Sequence, residues 1–300
     1  MTHILAPLPV DPRNPAGILD DLEKAIAGQT TLLPLPAADR TRTELLRNHM
    51  RAGESIAEDI ALVVSTSGST GTPKGAQLSP LNLVASADAT HSFLGGPGQW
   101  LLAMPAHHIA GIQVLVRSMV AGVEPAALDL SHGFSINEFA ERAEELAATG
   151  ERCYTALSPH QLAKATSTMQ GIDALRRFTA ILVGGAATNP RLLDSAKKLR
   201  INVVTTYGSS ETSGGCVYDG VPIAGARVRL DGGRIILGGP MVAEGYRGDV
   251  QPDPFTTDAD GQRWFTTSDA GHITDGVLTV EGRLDNVISS GGFKLQPEVL

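Results

Sequence analysis

Residues Ile60-Ala61-Leu62-Val63-Val64 form an unbroken apolar run that passes directly into Ser65-Thr66-Ser67-Gly68-Ser69-Thr70-Gly71-Thr72-Pro73-Lys74-Gly75. A short apolar run bounded by turn residues reads as a buried strand. The segment after it offers hydroxyls, glycines and unpaired backbone N–H groups instead of core-forming side chains. Glycines let the backbone approach an anion closely, hydroxyls and amides donate to phosphate oxygens, and Lys74 adds a full positive charge. The spacing is not that of the Walker loop G-x-x-x-x-G-K-[ST], because a glycine follows the lysine. Six hydroxyl residues and a closing Lys-Gly after a strand point to triphosphate binding, where a bare Ser/Thr/Gly run would read as a solvated loop.

Strand and helix patterns alternate along most of the chain. Residues 1–60 read as a lead-in, with helix-compatible patterns over 19–27 and 43–52 and a proline-containing break at 33–37. A helix is predicted over 79–91, with Ser79 as N-cap and Pro80 in its first turn. Further helices are expected over 109–121, 135–148 and 190–199, and strands over 100–104, 152–157, 180–183 and 202–205. Such alternation argues for largely parallel sheets covered by helices. After about residue 216 the pattern becomes short strands over 221–230, 234–237, 264–267 and 277–280, separated by Gly/Asp turns. The division read from this is an α/β part over 1–215, a β-rich subdomain over 216–284, and a terminal stretch over 285–300.

The formal net charge of −8 makes a poor scaffold for nucleic acid, which needs clustered Lys and Arg. Two cysteines, Cys153 and Cys216, are too few for a disulfide framework and form no C-x-x-C pair. The N-terminus lacks a basic region followed by an apolar core, so no secretion signal is read. The apolar stretch 100–123 is interrupted by Pro105, His107, His108, Gln113 and Arg117, which excludes a membrane span. Arg117 is compatible with a surface position or with a place near a ligand. The cytoplasm is the default location.

The Ser65–Gly75 segment resembles the signature loop of the adenylate-forming superfamily, which includes acyl-CoA synthetases, luciferases and peptide-synthetase adenylation domains. Further segments match in the same order, so the resemblance spans residues 60–300. Pro105-Ala106-His107-His108-Ile109-Ala110-Gly111 is similar to Pro-Leu-Phe-His-x-x-Gly, which places the family's acyl-pocket histidine at His108. Val183-Gly184-Gly185-Ala186-Ala187 resembles the glycine-rich platform for adenine. Thr206-Tyr207-Gly208-Ser209-Ser210-Glu211 looks like Tyr-Gly-x-Thr-Glu. The resemblance implies that Tyr207 stacks on adenine, Ser210 meets the α-phosphate and Glu211 ligates Mg²⁺. Thr267-Ser268-Asp269 departs from Thr-Gly-Asp by one serine, and Asp269 is implied to hold the ribose hydroxyls. Gly282-Arg283-Leu284-Asp285 resembles Gly-Arg-x-Asp, with Arg283 on the ribose and Asp285 as the hinge of a small C-terminal domain.

The implied fold is thus α/β, the large N-terminal domain of adenylate-forming enzymes, with a β-rich subdomain. The implied activity is ATP-dependent activation of a carboxylate as its acyl-adenylate and then as a coenzyme A thioester. ATP, Mg²⁺ and coenzyme A are the cofactors and co-substrates. Segments 107–111, 182–190 and 204–218 are similar to the actinobacterial 2-succinylbenzoate–CoA ligases of menaquinone synthesis. That similarity implies an aromatic carboxylate as partner, met by His108, Thr212, Ser213 and Gly214, with no nucleic acid or membrane partner; a homodimer is left open. The alternatives are an adenylating enzyme with a non-CoA acceptor, or a non-catalytic nucleotide-binding module. Members of the family continue for roughly a hundred further residues, a domain of ordinary size that carries a catalytic lysine. The chain is therefore read as a truncated large domain, weakly active or inactive by itself.

Overall fold

The computed structural model describes residues 2–66, 73–248 and 250–284, together with the backbone of the strands Ile288–Ser290 and Phe293–Leu295. The first sheet has the strand order Gly245–Arg247, Lys74–Leu78, Leu62–Thr66, Thr31–Pro36, Thr2–Val10, Ser55–Ala57. Its three central pairs are parallel or hairpin neighbours: Thr2–Val10 with Thr31–Pro36 and Thr31–Pro36 with Leu62–Thr66 run parallel, and Leu62–Thr66 with Lys74–Leu78 runs antiparallel.

Two of these strands lie where a lead-in and a proline break were expected. Backbone direction explains how prolines fit inside them. Leu32 donates its N–H to Ala61, so the even residues of Thr31–Pro36 face the neighbour Leu62–Thr66, which pairs only at Leu32↔Leu62. The missing N–H groups of Pro34 and Pro36 fall beyond that pair, where no ladder needs them. Leu5 donates to Glu54, so Pro7 and Pro9 likewise face outward past the short strand Ser55–Ala57.

The second sheet orders seven strands as Val221–Pro222, Gly214–Tyr218, Val203–Ser209, Ala180–Val183, Cys153–Leu157, Gln99–Leu102, Ala126–Ala127. The last five are mutually parallel, and the first two add antiparallel strands at one edge. The α/β sheet therefore runs through the 215/216 boundary. Alternate side chains enter different cores, as a period of two requires. Trp100, Leu102, Ala180 and Leu182 face one cluster, shared with the first sheet and with the helices Pro80–Phe93 and Ile109–Ala121. Leu101, Ala103, Ile181 and Val183 face another, covered by the helices Ile136–Ala147, Pro159–Thr166, Met169–Leu175 and Pro190–Lys198. Of these helices, Pro159–Thr166 and Met169–Leu175 had no counterpart in the sequence patterns, although Ser158 and Gln161 form a reciprocal cap around Pro159.

The third sheet is antiparallel, ordered Arg227–Asp231, Arg234–Gly238, Arg263–Thr274, Phe255–Thr257, with Val277–Arg283 also on Arg263–Thr274. Ile235, Leu237, Phe265 and Leu278 join it to the first core cluster. The helix Ile109–Ala121 is buried on all sides from Gly111 to Ser118, which suits a nearly all-apolar helix. Of its three buried polar residues, Gln113, Arg117 and Ser118, the first two shape the site described next. No helix among the described residues is long and apolar enough to cross a membrane.

Candidate active site

The strand Val203–Ser209 leads straight into the 3-10 turn Ser210–Thr212. Gly208 makes this possible: a Cβ there would lie 2.2 Å from the Gly214 carbonyl oxygen. The register with Gly214–Tyr218 shifts between Tyr207 and Gly208, and the chain bends there. Thr212 Oγ1 accepts from the Ser209 N–H at 2.9 Å and lies 2.8 Å from the Gly214 carbonyl. Ser213 sits in the left-handed region at φ 51° and donates its hydroxyl to the Met241 carbonyl at 2.9 Å. Both residues were expected to meet the substrate. Both are fully buried and use their hydroxyls to fix the turn.

The turn carries Glu211 against the strands Leu62–Thr66 and Lys74–Leu78. Glu211 is 6% exposed, and its Oε1 accepts a 2.5 Å hydrogen bond from the Tyr246 hydroxyl. Burial, and then the Glu211 charge, push the Tyr246 phenol well above its usual range. The Lys74 ammonium lies 5.2 Å from the centre of the same ring. Lys74 pairs with Thr66 across the hairpin, so both stems of the glycine-rich loop are fixed at this point. Ser67, Gly68, Ser69, Thr70, Gly71 and Thr72 lie outside the described residues, as does Asp285.

A second group forms beside the first. Tyr207 donates to Asp269 Oδ2 at 2.7 Å, and Asp269 is the cross-strand partner of Arg283. Burial and the Asp269 charge raise the Tyr207 phenol far above its ordinary value. Thr267 orients this loop by accepting from the Asp269 N–H at 3.0 Å. Gly184 touches the same strand, since a Cβ there would meet Thr206 Oγ1 at 2.2 Å. Gly185 and Ala186 are exposed at the rim. The strand Val203–Ser209 and its turn thus bring Tyr207, Ser210 and Glu211 between Lys74 on one side and Asp269 on the other.

Behind the turn lies a cavity lined by Gly184, Gly208, Gly214, Gln113, Arg117 and Tyr218, among others. Arg117 is 3% exposed, so the surface alternative is excluded. Its guanidinium sits 5.0 Å from the Trp100 ring centre and donates to the Tyr218 hydroxyl at 3.3 Å. Among the described residues no carboxylate lies within 4.0 Å of it, and Arg117 Nε and Gln113 Oε1 have no partner. A buried cation without a counter-anion is costly in a closed protein interior. A wider surface cleft at Asn82, Glu244, Asp258 and Arg263 contains none of these site residues. Sequence patterns gave no role to Tyr218 or Tyr246. The signal for Arg117 was its charge inside an apolar helix.

His108 is the N-cap of the helix Ile109–Ala121 but makes no side-chain cap bond. Met104 and Ile109 line the cavity but His108 does not, and it packs on His107 with ring centres 4.2 Å apart. Burial pushes the His107 imidazole down to about 4, and burial also lowers His108 and His91. His107 binds fewer protons folded than unfolded between about pH 6.5 and 4, and the other two imidazoles act in the same direction, so stability rises with pH across that window. Urea midpoints should therefore fall as the pH is lowered through it, and His107→Phe should flatten the fall. An unchanged slope in the variant would exclude His107 as a contributor.

The family model described as AMP-binding enzyme matches residues 13–247. A probable 2-succinylbenzoate–CoA ligase of Mycobacterium tuberculosis is 48% identical, with 91% of this chain and 74% of the relative aligned. The 2-succinylbenzoate–CoA ligase of Salmonella typhimurium is 30% identical over 97% of this chain and 63% of its own length. The o-succinylbenzoate coenzyme A synthetase of Bacillus subtilis, solved with ATP and magnesium ion, superposes with a TM-score of 0.81 at 21% identity, covering 99% of this chain and 72% of that one. ATP-bound MatB from Rhodopseudomonas palustris gives a TM-score of 0.80 at 17% identity, over 100% of this chain and 72% of that one. These structural likenesses establish the fold as the α/β large domain of adenylate-forming enzymes. By the family match, and by its identity to the mycobacterial relative, the chain belongs to the AMP-binding enzymes.

Proposed function

We propose that the chain carries the nucleotide and acyl sites of an ATP-dependent 2-succinylbenzoate–CoA ligase. The observation that carries this reading is the buried, unpaired Arg117 in an otherwise largely apolar cavity. A substrate with two carboxylates needs one group for reaction and a cation for the other. A charge-assisted guanidinium–carboxylate contact meets that need. Two relatives named for this substrate support it.

In the first half-reaction a substrate carboxylate oxygen attacks the α-phosphorus of ATP, the bond to the β-phosphate oxygen breaks, and pyrophosphate leaves. Both partners are anions, so charge must be neutralised and the line of attack fixed. Lys74 and the amides of loop 67–72 take the β- and γ-phosphates. Ser210 lies by the α-phosphate. Gly184, Gly185 and Ala186 with Tyr207 hold adenine, and Asp269 with Arg283 holds the ribose. Glu211 fits Mg²⁺: it is a hard oxygen donor with one oxygen given to Tyr246 and the other left for a metal. No cluster of three acidic, His or Cys ligands occurs among the described residues. That suits an ion which keeps waters and substrate phosphates in its shell. When bound, Mg²⁺ offsets phosphate charge. In the second half-reaction the thiol of coenzyme A displaces AMP from the acyl carbon, with Asp285 as the domain hinge.

Calorimetry with sulfamoyl-adenosine analogues tests the substrate assignment. The succinylbenzoyl analogue should bind about ten- to a hundredfold tighter than the benzoyl one, the range of a charge-assisted hydrogen bond. Arg117→Met should remove most of that preference while leaving the benzoyl affinity near its original value. Equal affinities in the unsubstituted chain would defeat the assignment.

A further inference from the structure

We propose that Tyr246 is a positioning residue that keeps the phosphate-binding cation and the metal-binding carboxylate apart until nucleotide arrives. The proposal rests on the assignments of Lys74 and Glu211 made above. Those two side chains carry opposite charges and converge on one partly buried spot. Opposite charges in such surroundings attract far more strongly than in water. Left to themselves they would close into an ion pair, which would occupy the ammonium donors and the carboxylate oxygens that the substrate and metal require.

No such pair forms among the described residues; the Tyr246 ring satisfies both partners instead. Its hydroxyl takes Glu211 Oε1 at 2.5 Å, and its face takes the Lys74 ammonium at 5.2 Å from the ring centre. An ionised carboxylate only accepts, so the phenol is the donor and Oε2 remains for a metal. The cation–π contact holds the ammonium without using up its charge.

The ring itself is fixed from several directions. The strand Gly245–Arg247 pairs antiparallel with Lys74–Leu78, with Tyr246 opposite Ala76. Gln77 donates its amide to the Tyr246 carbonyl at 3.1 Å. Phe255 packs against the ring at 5.1 Å, nearly edge to face. Next along the strand, Arg247 donates to the Met50 and Ser55 carbonyls at 3.2 and 3.0 Å. A spacer anchored in this way supports the metal-ligating carboxylate as an outer-shell hydrogen bond does in metal sites.

The test is ATP binding to the chain by calorimetry, with Mg²⁺ and with chelator in its place. Tyr246→Phe keeps the ring and loses the hydroxyl. It should weaken MgATP binding by about tenfold or more, the usual effect of losing an outer-shell partner, with metal-free ATP binding unchanged. Tyr246→Ala loses the spacer as well, so metal-free ATP binding should also fall, because Lys74 and Glu211 can then pair directly. Adding Glu211→Gln to Tyr246→Ala should restore the metal-free binding. Circular dichroism checks folding, and if Tyr246→Ala does not fold, the phenylalanine variant decides alone. Glu211→Gln by itself separates the two levels of inference. If it leaves the Mg²⁺ dependence intact, the metal assignment fails, and the proposal with it. If it abolishes that dependence while Tyr246→Phe changes nothing, the proposal alone is overturned.

Discussion

Trp100→Ala is expected to destabilise the chain by about 3–5 kcal/mol, the range for truncating a large aromatic side chain in a packed core. Trp100 has no exposed surface and stands in the two sheets' shared core, against Arg117 of the cavity wall. Its indole N–H donates to His91 Nε2 at 3.2 Å, and its ring packs on Tyr154 at 5.1 Å. Its other duty is to carry Arg117. Alanine would leave a void beneath the guanidinium, and would leave His91 as a buried acceptor with no donor from this side, a second cost. Urea unfolding measures the total, provided the slope with denaturant is unchanged. Trp100→Phe keeps a ring under Arg117 and should recover more than half of the loss. A cost below about 1 kcal/mol for the alanine variant would mean that the core collapses around the gap, contrary to the packing described.

Gly208→Ala should cost MgATP affinity about a hundredfold with little loss of helix content. The new Cβ would lie 2.2 Å from the Gly214 carbonyl oxygen and 2.8 Å from the Gly215 Cα, and both obstacles are backbone. The bulge must open, which moves Ser210 and Glu211 relative to Lys74 and Asp269. Displacements of about 1 Å at such groups are worth about a hundredfold. Gly122→Ala is the matched control. Gly122 also has positive φ, at 69°, but an added Cβ meets nothing within 4 Å, and it caps the helix Ile109–Ala121 at the end away from the turn. It should lower stability by about 1 kcal/mol and leave nucleotide binding untouched. If the Gly208 variant binds MgATP as the unsubstituted chain does, the bulge does not govern the placement of Glu211.

The elements legible in the sequence were those whose local signals agree with their surroundings. Ser79-Pro80 and Asn82 begin a helix by a reciprocal cap, and Ile109–Ala121 matches its predicted limits. The strands Thr2–Val10 and Thr31–Pro36 were hidden by prolines, which are tolerated because their missing N–H groups lie beyond the residues that pair with the neighbouring strands. That fact belongs to the sheet and not to the segment. The site divides in the same way. Tyr207, Glu211, Asp269 and Lys74 lie in recognisable local patterns, and the structure brings them around one strand end. Thr212 and Ser213 share the pattern of Glu211, yet their side chains turn inward, because the 3-10 turn sends successive residues in different directions. Tyr246 could not be singled out, since its role comes from partners on two distant segments.

Pairing of the strand Gly245–Arg247 with Lys74–Leu78 has a consequence for the order of events during synthesis. The hairpin that holds Lys74 leaves the ribosome long before its outer neighbour exists. At about 5–20 residues per second the delay is on the order of ten seconds or more. For that interval Lys74–Leu78 is a raw border with open backbone donors and acceptors, the kind of edge that recruits strands from other chains. A charge on such a border discourages that encounter. The strand that carries the lysine assigned to the triphosphate therefore gains its outer neighbour late, and the substrate site is among the last parts of the molecule to be finished.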